Sequence, residues 1–304
     1  MIKNKMGFYI LSGYLAVLGY CIITAYYTLA IHSITQETDP YLLTLLMFLI
    51  CLILFSAINL FSIKKILTKA RRDLKNLFFI NILTAINWIA VMWSLKYINP
   101  TPFIAIFMAF LPIFTFIISL FIKKSFNKKE FLFVLILLFS IIFFIHLNPI
   151  YKTNHFAVKG ALLCLLSTLV GAFYLIISEK FQHNTELSTS QLLAVRFYLL
   201  VVITAYLTLH WGDGATTISE QLRQINYLQI ITLSVLTTAL PLYLLQQGIY
   251  SIGSAKVSYI IPATIIFTYI LELAYKIVAP NFLQIVTLCV LTLVIVYLNK
   301  IKRH

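Results

Sequence analysis

Acidic residues are scarce: 9 Asp and Glu in 304 positions, against 23 Lys and Arg. Charged side chains of both signs make up 11% of the chain, where soluble domains carry about 25%. That shortage excludes a water-soluble enzyme, and the 61% share of hydrophobic residues excludes a disordered chain. Cysteine is scarce too. Cys21, Cys51, Cys164 and Cys289 lie far apart in apolar segments without CxxC spacing, which argues against a disulfide framework or a zinc site. They read as small apolar filler. Nine glycines rule out a collagen-like repeat. There is no phosphate-binding glycine loop, so the chain does not itself hydrolyse ATP. The six histidines are scattered without HExxH spacing, and no Ser–His or paired-aspartate arrangement accompanies them. No catalytic residue, metal ligand or cofactor is expected.

What is present is a series of apolar runs. They fall at Phe8–Ile31, Leu42–Ile63, Leu77–Leu95, Phe103–Ile122 and Phe131–Leu147. After a polar gap they resume at Phe156–Ser178, Leu192–Leu209, Tyr227–Leu245, Val257–Val278 and Phe282–Leu298. A hydrocarbon core is crossed by about 20 apolar residues in a helix, so the sequence predicts an all-α integral membrane protein with ten transmembrane helices. Runs such as Phe131–Leu138 lack the alternation of a membrane barrel. A net charge of +14 would suggest nucleic acid in a soluble protein. Here the basic residues gather between apolar runs, the pattern of a cytoplasmic membrane face, so the lipid bilayer is the expected partner and nucleic acid is not. With the N-terminus inside, seventeen Lys and Arg lie on the inner side and five on the outer. Both ends are then cytoplasmic, which requires an even number of spans. Met1-Ile2-Lys3-Asn4-Lys5 leads at once into a long apolar run with no cleavage site and reads as a retained first span. A bacterial inner membrane is the simplest address.

The polar stretch at 148–155 divides the chain almost in half, predicting a five-helix repeat over 1–150 and a second over 151–304. An odd number of spans per half makes the second copy inverted. Pro112 and Pro262 stand 150 residues apart, in matching places. Inverted repeats can exchange conformations, which is the usual physical basis of alternating access around a midplane site.

Two groups of residues carry a family resemblance. In the first half they are Asn87-Trp88-Ile89-Ala90-Val91-Met92-Trp93-Ser94-Leu95-Lys96-Tyr97-Ile98 and Phe110-Leu111-Pro112-Ile113-Phe114. In the second they are Ala194-Val195-Arg196-Phe197, Thr238-Ala239-Leu240-Pro241-Leu242-Tyr243, Ser254-Ala255-Lys256-Val257 and Ile261-Pro262-Ala263. Their order and spacing resemble the EamA-type transporters of the drug/metabolite transporter superfamily, over essentially the whole chain. The resemblance implies ten helices and solute transport. The sequence departs from that pattern in two places. Leu42–Ile63 lacks the arginine often found in the second span, and Lys123-Lys124 stand where a glutamate commonly closes the fourth. The matching acid of the second half is Glu272.

Charge inside a span is costly, at about 2.5–3.5 kcal/mol on insertion scales, so Arg196 and Glu272 need explanations. Arg196 either faces a cavity and attracts an anionic group or snorkels to lipid phosphate. Glu272 is a candidate for proton coupling, or it pairs with Lys276 four residues on. Helical spacing puts Ser254, Ser258, Thr264, Thr268, Tyr269 and Glu272 on one arc of the ninth span, and Tyr243, Gln246 and Gln247 on one face of the eighth. On the third span Asn81, Thr84 and Trp88 share a face. The substrate-cavity candidates are thus Asn81, Trp88, Arg196, Tyr243, Gln246, Gln247, Ser258 and Thr268, with Pro112 and Pro262 as hinges. Gly13, Gly19, Ser167 and Gly171 are expected to let helices approach closely.

The expected function is a secondary transporter, a monomer or homodimer, moving a small organic solute such as an amino acid by alternating access. One rival is a membrane-embedded lipid- or metabolite-modifying enzyme, which needs acids clustered at one interface; Asp39, Asp73 and Asp213 are dispersed. The other is a non-transporting scaffold, which needs a solid core.

Overall fold

A computed structural model of the chain describes residues 2–123, 127–147, 155–211, 223, 227–276 and 279–300. Most of the polar stretch at 148–155, the loop at 212–226 apart from residue 223, Lys124, and Lys302 and Arg303 near the C-terminus lie outside the described residues. The described chain is helical, with no strand.

The first half holds α1 (Ile2–Glu37), α2 (Pro40–Ile58), α3 (Ile63–Ala70), α4 (Leu74–Tyr97), α5 (Pro100–Lys123) and α6 (Lys128–His146). The second begins with α7 (His155–Thr185), α8 (Thr189–Arg196) and α9 (Tyr198–Trp211). It continues with α10 (Tyr227–Leu233), a π turn (Ser234–Ala239) and α11 (Leu240–Ile252). It ends with α12 (Ser254–Ile260), α13 (Ala263–Ala274) and α14 (Phe282–Lys300). Among the described residues, nine helices are long and apolar enough to cross a membrane; the shorter described stretch of α6 is not among them. The chain is a multi-pass membrane protein.

Local chemistry explains the ends of these helices. Asp39 caps α2, its Oδ1 accepting from the backbone N–H groups of Tyr41 at 2.8 Å and Leu42 at 3.0 Å, with Pro40 in the first turn. Ser188 and Gln191 form a reciprocal capping box on α8. Gly253, at φ 86°, ends α11 in a conformation that favours glycine. The basic stretch after α2, which lies between two apolar runs of the sequence, contains α3. Ile66 and Ala70 bury one side of that helix while Lys64 and Lys65 stay exposed. Lys69 ties it to the α7–α8 turn by donating to the Glu186 carbonyl at 2.8 Å.

The second half is the more irregular one. Its second span breaks at Phe197 into α8 and α9. The π turn stands directly before Pro241, whose missing N–H cannot serve the carbonyl four residues earlier. The ninth apolar run breaks at Ile261-Pro262, whereas α5 runs unbroken through Pro112. The two prolines read as paired hinges therefore sit in different backbones.

With α8 grouped with α9, α10 with α11, and α12 with α13, the packing has a symmetry. α4 packs on α7 and α1 on α11; α5 packs on α7 and α1 on α13. α2 meets α9, α6 meets α14, and α5 meets both α12 and α13. Exchanging each helix of the first half for its counterpart in the second returns the same pairs.

Two seams depend on glycine. A Cβ on Gly248 would stand 2.3 Å from Val17 Cγ2, and one on Gly13 would stand 2.6 Å from Ser251 Cβ, so α1 and α11 touch through these positions. On the partner seam, a Cβ on Gly160 would lie 2.5 Å from Ile98 Cγ2. Gly171 has a looser setting, facing Asn87 and Phe107. Valine is stiff at χ1 and cannot swing away. Gly248→Ala is expected to destabilise the protein by about 1–3 kcal/mol, read as thermal unfolding in detergent. Adding Val17→Ala should restore most of the loss. Gly19→Ala, whose Cβ would meet the flexible Leu244 at 3.3 Å, should be near neutral.

Candidate functional site

A cavity of about 80 Å³ lies between the halves, lined from α1, α4, α5, α7, α8, α11 and the break before α13. Tyr20, Thr24, Tyr27 and Thr28 enter from α1, Asn87, Trp88 and Val91 from α4, and Tyr174 from α7. Apolar walls come from Phe103, Phe107, Met108, Leu111, Leu242 and Leu245.

Arg196 is the cavity's formal charge and is 2% exposed. It sits at the end of α8, where the helix breaks. Its Nε donates to Thr84 Oγ1 at 2.9 Å, and its guanidinium carbon lies 3.8 Å from the centre of the Tyr174 ring. This buried seat rules out snorkelling to lipid. Four polar atoms at the cavity are buried without a hydrogen-bond partner: Arg196 Nη1, Trp88 Nε1, Asn87 Oδ1 and Tyr27 Oη. Buried polar atoms are normally paired, because each orphan costs about 1–3 kcal/mol. All four belong to residues that line this one space.

Beneath the cavity runs a buried chain. Tyr174 Oη donates to Gln246 Oε1 at 2.5 Å, Gln246 Nε2 donates to Gln182 Oε1 at 2.7 Å, and Gln182 Nε2 donates to the Leu187 carbonyl at 3.2 Å. On α11, Gln246 falls between Leu245, which lines the cavity, and Ile252, which lines a second and larger space. That vestibule of about 800 Å³ is lined by Glu130, Glu179, Lys180, His183, Lys256 and Tyr259 among others. Its acids are occupied. Tyr259 donates to Glu130, while the backbone N–H of Ser254 donates to Glu179 at 2.9 Å and its hydroxyl donates there too.

At the other end, polar contacts draw the halves and the α4–α5 turn together. His32 Nδ1 and the Leu95 carbonyl are 2.8 Å apart, Gln36 Nε2 reaches the Leu95 and Lys96 carbonyls at 3.4 Å, and Thr101 on α5 donates to Glu272 on α13. Glu272 is 3% exposed and its Oε2 has no partner. The expected pair with Lys276 is not formed. α13 ends at Ala274 and Lys276 is exposed at φ 56°, so the helical spacing that such a pair needs is broken.

Of the residues singled out from sequence, Trp88 and Arg196 line the cavity, and Gln246 reaches it through Tyr174. Asn81 instead ties α4 to α8, donating to the Leu77 carbonyl at 3.0 Å and the Val195 carbonyl at 3.1 Å. Gln247 accepts from Thr189 at 2.7 Å. Ser258 and Thr268 are buried and donate to carbonyls of their own segment, Ala255 at 2.8 Å and Thr264 at 2.9 Å. Tyr243 is 38% exposed and parts from Gln246, which is fully buried. Trp93 belongs to a lateral groove with Tyr41 and Tyr97. Pro112 and Pro262 do not line the cavity, although their neighbours Leu111 and Ile261 do. Cys21, Cys51 and Cys164 are buried and Cys289 is exposed on α14. Among the described residues, no His, Cys, Asp and Glu group could hold a metal ion. Sequence reasoning missed Tyr20, Tyr27, Asn87 and Tyr174 as lining, and Gln182 as part of the floor.

A solved crystal structure matches the chain with a TM-score of 0.70 over 95% of each chain at 14% sequence identity, which shows a shared fold. No curated protein matches. The sequence profile of the EamA-like transporter family matches residues 11–146 and again residues 158–300. Two matches that together take in nearly the whole chain place it plainly: it belongs to the EamA-like transporter family.

Proposed function

We propose that this protein is a secondary transporter that carries a small organic solute, an amino acid or similar metabolite, by alternating access through the cavity at Arg196. The observation that carries the reading is a small cavity between the halves lined by Arg196, Tyr27, Asn87 and Trp88, each of which has a buried polar atom without a hydrogen-bond partner. Family membership supports transport over catalysis. A vestibule on one side of the Tyr174–Gln246–Gln182 chain and a closed polar seam on the other support a carrier resting open to one side.

In this reading α6 is the tenth span, the halves are threaded in opposite senses, and their interchangeable packing pairs reflect that origin. The vestibule side, which carries Lys180, Lys256 and Lys300, is then cytoplasmic in a bacterial inner membrane, with both ends on that side.

The test is purified protein in liposomes, preloaded and assayed for counterflow with labelled amino acids, 2-hydroxy acids, nucleosides and polyamines. Exchange of at least one class above protein-free liposomes is expected. Silence across all four, from protein that is folded by circular dichroism, would remove the reading.

A further inference from the structure

We infer that the cavity at Arg196 selects a short monocarboxylate that carries a neutral hydrogen-bond donor and no second charge. The inference rests on the reading of this cavity as the solute's site, and it narrows the amino-acid-like class proposed there to hydroxy acids, which lack the amino acid's ammonium group.

Arg196 supplies the anion preference. Thr84 holds Nε and the Tyr174 ring supports the guanidinium plane, while Nη1, buried and unpartnered, is left for a ligand. A carboxylate matches that fork better than any neutral acceptor does. Trp88 Nε1, a donor that is also unpaired, suits the second carboxylate oxygen. Asn87 Oδ1 is a neutral acceptor, which suits a hydroxyl or amide N–H.

A second charge has no counterpart. Among the described residues no Asp or Glu lines the cavity, so an ammonium group would lose its water without gaining an acid. A dianion would leave one charge uncompensated beside a single arginine. The cavity, at about 80 Å³, is small, which favours a short solute over a long one. The remaining wall, with Val91, Leu111, Leu242 and Ile261, takes a short branched or straight apolar body.

Three probes on one skeleton separate these elements: 2-hydroxy-3-methylbutanoate, its primary amide, and valine, in which an ammonium replaces the hydroxyl. Binding is measured by isothermal titration of the purified protein in detergent. The hydroxy acid should bind about ten- to a hundredfold more tightly than the amide, and at least about tenfold more tightly than valine. Arg196→Gln should abolish the preference of acid over amide, and Arg196→Lys should retain a fraction of it. Amide binding equal to acid binding overturns the inference, as does tighter binding of valine or no binding of any probe. If Arg196→Gln does not fold, the ranking on the unmodified protein still decides. Binding of the hydroxy acid without its counterflow supports this site and removes transport; counterflow of another solute class without acid binding removes this inference and leaves transport standing.

Discussion

Gln246→Leu is expected to be the most damaging single change in the molecule. Gln246 is fully buried and holds two other buried groups, accepting from Tyr174 and donating to Gln182. Leucine removes the acceptor of the Tyr174 hydroxyl and the donor to Gln182 Oε1. Each orphan costs about 1–3 kcal/mol, so the loss of stability should reach about 2–6 kcal/mol. Counterflow should also fall, because Tyr174 carries the face on which Arg196 stacks. The decisive measurement is a double-variant cycle in detergent with Gln182→Leu. If the chain acts as a unit, the double variant costs less than the sum of the singles by about 0.5–3 kcal/mol. Strict additivity would show that the two glutamines act separately.

Thr101→Val should produce the largest change in access. Thr101 donates to Glu272 across the end opposite the vestibule. Loss of this hydrogen bond leaves the buried Glu272 carboxyl group without its donor, at a cost of about 1–3 kcal/mol. The closed seam is then destabilised relative to the open one, shifting the population by about ten- to a hundredfold. A cysteine at Met108, which lines the cavity, reports the shift in a background with the four native cysteines replaced by alanine. Labelling by a membrane-impermeant thiol reagent added from the α4–α5 side should speed up by that factor. An unchanged rate would mean that His32 and Gln36, with the Leu95 and Lys96 carbonyls, hold the seam without Glu272.

The helices were legible because apolar length is a strong signal. The helix α3 was not, since eight residues with three lysines resemble a basic loop until Ile66 and Ala70 are seen to share a buried side. Within the site, Arg196 and Trp88 stood out because charge and indole are conspicuous in an apolar run. Tyr20, Tyr27, Asn87 and Tyr174 did not, because tyrosine and asparagine are equally at home near a bilayer interface. Their direction is set by which helix packs on which: α1 on α11 and α4 on α7, pairs remote in sequence. Gln182 escaped because α7 runs to Thr185, past the apolar run that ended at Ser178. The Glu272–Lys276 spacing misled because it assumed a helix that stops at Ala274.

Pro112 lies within a continuous helix, while Pro262 lies where the backbone leaves the helix. The halves are therefore not mechanical equals, and in the proposed alternating-access cycle the empty carrier has two orientations of unequal free energy. Such a carrier parks on one face of the bilayer. The solute concentration that half-saturates it must then differ between the two faces, and for a passive carrier the maximal rates must differ in the same ratio, so that no gradient forms without a driving force.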